Sequence, residues 1–128
     1  MARVLISFAM EDKALRDFLV GQKKNARTAI EFTDYSVKEP WDSSWKTNCR
    51  ARIKGCQAVI GIITHNTPKA DGQLWELKCA IEEGVPLMLI HGYSAPEKRL
   101  SVLPSVIFGR RANLWTEDNI VNFLHSLG

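Results

Sequence analysis

QAVIGIITHNTPKADGQLWELKCAIEEGVPLMLI, residues 57–90, holds two short apolar runs, 58–64 and 85–90, on either side of a polar loop and a segment with helical spacing. This is the pattern of two buried parallel strands joined by a crossover helix, one complete βαβ unit. Thr64, His65, Asn66 and Thr67 leave the first strand at its C-terminal end, and Glu76 stands near the head of the helix. In an open parallel sheet that rim is where ligands bind.

Upstream, residues 4–8 form an apolar run that reads as a central buried strand. Leu15, Phe18, Leu19 and Gln22 then fall at i, i+3, i+4 and i+7, an amphipathic helix with Glu11 or Asp12 favouring its N-terminal dipole and Lys23 and Lys24 near its end. TAIEFT, residues 28–33, alternates polar and apolar and suits an edge strand. The loop 34–41, DYSVKEPW, can serve as a ligand lid, or Tyr35 and Trp41 simply cover the sheet end. Asp42 or Ser43 caps a helix carrying Trp45, Cys49 and Ile53.

Downstream, a loop with Pro96 and Pro104 leads to a last short strand near 106–108 and a last helix capped by Thr116, with Ile120, Phe123, Leu124 and Leu127 as its buried stripe. Strands alternating with helices predict an α/β protein. Right-handed crossovers favour a flavodoxin-like, doubly wound five-stranded parallel sheet in the order 2-1-3-4-5, with the switch point between strands one and three.

At 128 residues the chain fits a single domain, 1–128, with one core. The net charge of +3 is scattered in small clusters with no basic run interleaved with aromatics, which gives no support to a nucleic-acid surface. No signal peptide and no stretch of membrane-spanning length is present, so the expectation is a soluble cytoplasmic protein. Cys49, Cys56 and Cys79 form no CxxC pair and suit reduced thiols. His65 has no second histidine or carboxylate at ligand spacing, so no metal is expected.

With the favoured strand order, Ser7, Phe8 and Ala9 lie beside Thr64, His65 and Asn66, and the loop 34–41 and the head of the helix over 73–84 reach the same rim. Leu77, Ala80, Ile81 and Gly84 form the sheet-facing stripe of that helix, and Glu76 sits about 40° from Ala80 at its border, able to reach a crevice without being buried. Glu82 and Glu83 lie further along and read as solvated. A first-turn Glu also stabilises the helix dipole by roughly 0.3–1 kcal/mol, which alone accounts for Glu76. Trp75 points away from the stripe, to stack on a ligand ring or to pack under the Pro68 loop.

Two relatives of this fold are disfavoured. A phosphoacceptor receiver needs an Asp ending the third strand, where Thr64 and His65 stand. A flavodoxin needs a hydroxyl- and glycine-rich phosphate loop after strand one, where the chain has Phe8-Ala9-Met10-Glu11-Asp12.

VLISFAMED, residues 4–12, resembles the first box of Toll/interleukin-1 receptor (TIR) domains. Residues 54–90 resemble the core of the bacterial TIR-like group that includes the TIR protein of the Thoeris anti-phage system. The matching places are 60–64, Asn66-Thr67, Trp75-Glu76-Leu77, Ala80 and Gly84-Val85-Pro86. The resemblance covers most of residues 3–91. It implies an enzyme that cleaves the nicotinamide glycosidic bond of NAD, with NAD as substrate, no cofactor, and Glu76 as catalytic carboxylate.

The resemblance further implies that Phe8, Ala9 and the loop 34–41, with Asp34, Ser36 and Trp41, line the pocket, and Ser7, His65, Asn66 and Trp75, brought to the rim by the strand order, are expected to bind the substrate with them. Thoeris-type proteins resemble cyclases that make a cyclic ADP-ribose-type signal, so a phage component or self-association would activate the chain and an effector would read its product. There are departures. Gly72 stands where many TIR enzymes have a Trp, and KEPWD replaces the basic-Asp-Pro-Gly loop of animal signalling TIR domains. The competing readings are a non-catalytic TIR-like interaction module and a nucleoside deoxyribosyltransferase-like N-glycosidase.

Overall fold

The computed structural model describes residues 2–24, 30–33, 43–95, 97, 99–100, 102–107 and 109–127. Strands and helices alternate as β1 (Ala2–Ser7), α1 (Lys13–Lys24), β2 (Ile30–Thr33), α2 (Ser43–Lys54), β3 (Ala58–Ile63), α3 (Asp71–Glu82), β4 (Leu87–His91), β5 (Ala112–Asn113) and α4 (Glu117–His125). All pairings are parallel and run β2-β1-β3-β4-β5 across the sheet, with Val4 opposite Ala58 and Ile60 opposite Met88. β3 is buried at every position, as a strand covered on both faces requires.

Side-chain alternation along β1 divides the core. Val4, Ile6 and Phe8 join Ile60, Ile62, Leu19, Ile120 and Leu124 on the face covered by α1 and α4. Leu5 joins Val59, Cys49, Ile53, Cys79 and Ala80 beneath α2 and α3, and Ile63, Leu77, Leu89 and Ile107 extend that side. All three cysteines are free and buried. Burial, helped by the charge of Glu76, pushes the Cys49 thiol up to about 12, so it packs as a small apolar group.

Gly61 sets the distance between α3 and the sheet. A Cβ there would stand 2.9 Å from Leu77 Cδ2 and 3.0 Å from Leu89 Cδ2. Gly61→Ala is therefore expected to lower stability by about 1–3 kcal/mol through overpacking. Gly21→Ala, in α1 with nothing within 4 Å of the new Cβ, is expected to raise it by about 0.5–1 kcal/mol. Urea denaturation of the two variants checks this opposition of sign.

α3 ends in a Schellman motif: Gly84 has φ 70°, Val85 N donates to Ala80 O at 2.9 Å and Gly84 N to Ile81 O at 3.2 Å. Gly84 is thus an exposed cap, not part of the sheet-facing stripe expected of it. Beyond it, Arg50 Nη2 pairs with Glu82 at 2.6 Å and Nη1 with Glu83 at 2.7 Å. These carboxylates, expected to be solvated, tie α3 to α2, and the hydrogen bond from Arg50 holds the Glu83 carboxyl below its ordinary range.

The strand expected near 106–108 is also corrected. After Pro104, Ser105–Ile107 forms a 3-10 turn that buries Ile107 against Leu77 and Leu89, and the pairing with β4 is made instead by Ala112–Asn113. Thr116 caps α4 as expected, accepting from Asn119 N at 3.1 Å. In α1, Leu19 is buried, but Phe18, expected in the same stripe, is 60% exposed and leans on Trp115.

Candidate active site

Because Leu5 faces α2 and α3, Ser7, two residues on, faces them too. Its Oγ donates to Glu76 Oε1 at 2.8 Å. Ser7 is fully buried and Glu76 is 3% exposed, so the carboxylate lies inside the fold and not at the half-open border expected for it. Nor does Glu76 stand in the first turn of the helix, where the sequence reading places it. α3 begins at Asp71, two residues before the expected start, and its buried face runs through Gln73, Glu76, Leu77 and Ala80 at i, i+3, i+4 and i+7.

Gln73 is the residue that sequence reasoning passed over. Its Nε2 donates to Ser7 O at 3.1 Å and to Ile62 O at 2.7 Å, so one amide spans the ends of β1 and β3. Two carbonyl acceptors fix the orientation of that amide. Its Oε1 is buried and has no hydrogen-bond partner among the described residues. The available signal was its place one helical turn before Glu76.

Asp12, read from sequence as a dipole acid, is also buried. Its Oδ2 accepts from Thr64 Oγ1 at 2.5 Å and its Oδ1 from Asn66 Nδ2 at 3.0 Å. Thr64 Oγ1 in turn accepts from Asn66 N at 3.0 Å, and Thr67 Oγ1 accepts from Thr64 N at 3.0 Å. The loop after β3 is thereby bolted to the turn after β1, which sets the rim beside Ser7.

The remaining expected site residues are distributed around this centre. Phe8 turns its ring into the core under α1 and α4, on the face opposite Ser7, and Ala9 is buried in the turn, where its carbonyl accepts from Asp12 N at 2.8 Å. His65 is exposed and its ring lies 6.0 Å from that of Tyr93. Trp75 leans on α2: its Nε1 donates to Lys46 O at 3.2 Å, and Lys46 and Arg50 sit 5.0 and 5.2 Å from the ring centre. Asp34, Ser36 and Trp41, with the whole loop 34–41, lie outside the described residues. Among the described residues no cluster of His, Cys, Asp and Glu could hold a metal, and no helix is long and apolar enough to cross a membrane.

A buried carboxylate that accepts a hydrogen bond from Ser7, at the C-terminal rim of a parallel sheet and beside the switch point, has the placement of a group that stabilises developing positive charge. No protein-family model matches the chain, and no curated protein does. Among solved structures it is similar to the crystal structure of the TIR domain of the Toll-related receptor TRR-2 from Hydra magnipapillata. That likeness covers 97% of this chain and 93% of that chain, with a TM-score of 0.62 at 16% identity. The chain therefore has a TIR-like α/β fold, a parallel sheet flanked by helices.

Proposed function

We propose that this chain cleaves the bond between nicotinamide and ribose in NAD, with Glu76 as the catalytic carboxylate. The observation that carries the reading is the buried Ser7–Glu76 hydrogen bond of 2.8 Å at the switch-point rim. In NAD the nicotinamide ring is cationic and leaves as a neutral base, taking the electron pair of the glycosidic bond, so little general-acid help is required. Positive charge then gathers on the ribose as an oxocarbenium-like centre, which an adjacent carboxylate stabilises most strongly where water is excluded. Ser7 keeps that carboxylate oriented. The unused Oε1 of Gln73 offers a hydrogen-bond acceptor one turn before it.

Attack by water on the ribose gives ADP-ribose. Attack by a nucleophile of the ADP-ribose itself gives a cyclic product, and this second course fits a signal nucleotide made in the cytoplasm during anti-phage defence and read by a separate effector. Activation would then follow from a phage component or from self-association. Incubation of the concentrated protein with NAD, followed by chromatography and mass identification, is expected to show released nicotinamide and either ADP-ribose or a species lighter by one water. Intact NAD, both with concentrated protein and with lysate of phage-infected cells added, overturns the reading.

A second reading is a TIR-like interaction module without chemistry, which the likeness to a receptor TIR domain favours. Self-association by ultracentrifugation that survives Glu76→Ala, with no NAD binding by calorimetry, would establish it. Cleavage of free nucleosides in place of NAD would point instead to deoxyribosyltransferase-like N-glycosidase chemistry.

A further inference from the structure

On the face of the sheet opposite Ser7 and Glu76 lies a cleft of about 550 Å³ that NAD cleavage leaves unexplained. It opens between α1, the segment following β4 and the approach to α4. Its size falls within the range of small-ligand sites, about 300–1,000 Å³. What lines it is chemically specific.

One wall is aromatic. Phe18 and Trp115 meet with ring centres 5.9 Å apart and planes tilted by 59°, and Tyr93 stands on the same cleft. Phe18 remains 60% exposed at the mouth, which costs solvation that a flat ligand ring would recover. The second wall is cationic. Arg99 donates from Nε to Tyr93 O at 3.0 Å, which pins the guanidinium to the cleft, and among the described residues no carboxylate pairs with it. A pinned arginine with its outer nitrogens unclaimed by an acid is suited to two-pronged recognition of a phosphate or carboxylate.

The floor is tightly packed against the core. A Cβ on Gly92 would stand 2.6 Å from Thr64 Cγ2 and 2.8 Å from Leu15 Cδ1, so only a glycine lets the chain pass there. Beside it, His91 Nδ1 is buried with no hydrogen-bond partner among the described residues. Burial, and then the charge of Arg99, hold that imidazole below the ordinary histidine value, so at neutral pH it is an uncharged polar group facing the cleft.

We propose that this cleft is a second ligand site, for an anion of mononucleotide size that carries an aromatic ring: the ring rests on the Phe18–Trp115 pair and the anionic group is held by Arg99. The site is independent of Glu76 and of the NAD reading. It uses the other face of the sheet and none of the residues assigned to bond cleavage.

Calorimetric titration of the full chain with AMP, adenosine and inorganic phosphate tests both halves of the recognition. AMP is expected to bind with a dissociation constant below about 1 mM, and adenosine and phosphate at least about tenfold more weakly. Arg99→Gln is expected to weaken AMP by at least about tenfold while leaving adenosine unchanged. Phe18→Ala, at a side chain whose removal opens no core, is expected to weaken AMP and adenosine alike by at least about fivefold. Circular dichroism checks that both variants keep the fold. Absence of saturable AMP binding, equal affinity for AMP and adenosine, or AMP binding indifferent to both variants overturns the proposal, the last by placing the nucleotide outside this cleft.

Discussion

Glu76→Gln is expected to lower kcat for NAD cleavage by at least about a hundredfold, the scale on which loss of one preorganised electrostatic partner acts. The substitution preserves shape and leaves an oxygen to accept the hydrogen bond that Ser7 Oγ makes at 2.8 Å. The negative charge is removed and the second oxygen becomes an NH₂ group. Because a buried carboxylate is costly to keep, the same change is expected to leave the urea midpoint where it is or to raise it. Lost turnover with undiminished stability separates a chemical role from a structural one. Wild-type turnover in Glu76→Gln would place the chemistry elsewhere. Ser7→Ala, which removes the hydrogen bond to Glu76 Oε1, is expected to cost about tenfold, in kcat and not in KM, as for a positioning residue.

Asp12→Leu is expected to be the most destabilising change among these buried polar groups, by about 3–5 kcal/mol. It orphans the buried Thr64 hydroxyl, at a cost of about 1–3 kcal/mol for a buried donor left without an acceptor, together with the half-buried Asn66 amide. Asp12→Asn fits the same space but turns an NH₂ toward one of those donors, so about 1–3 kcal/mol is expected. Urea denaturation of the two variants gives the comparison, and a loss below about 1 kcal/mol for Asp12→Leu would mean that the loop after β3 is held by something other than this network.

The parts of the fold that were legible in the sequence are those whose burial leaves a one-dimensional trace. The runs behind β1, β3 and β4 are continuous because both faces of those strands are covered, and Thr116 with Ile120 and Leu124 marks α4 by cap and spacing. β5 left no trace, since two residues make no period, and the apolar residues at 106–108 drew the strand assignment to the turn Ser105–Ile107, which buries Ile107.

The site was half legible. Glu76 stood out because the expected helix start at Gln73 put it in the first turn, although it lies in the second, but Gln73 and Asp12 did not, because in a sequence a buried polar residue with partners looks like a solvated one. Phe18 fits the stripe of α1 by spacing alone. In the structure it lines the cleft beside α1 instead of being covered.

Gln73 has one more consequence. Since its amide grips the last carbonyl of β1 and a carbonyl near the end of β3 at once, the position of Glu76 is gauged from the spacing of two strands and not from the path of the chain between β3 and α3. In the connecting segment 64–70, Thr64, Asn66 and Thr67 are pinned by the Asp12 network, and Pro68 and Lys69 are the exposed positions between these anchors and α3. Residues inserted at Pro68 or Lys69 would bulge outward, and the carboxylate would still be delivered to Ser7.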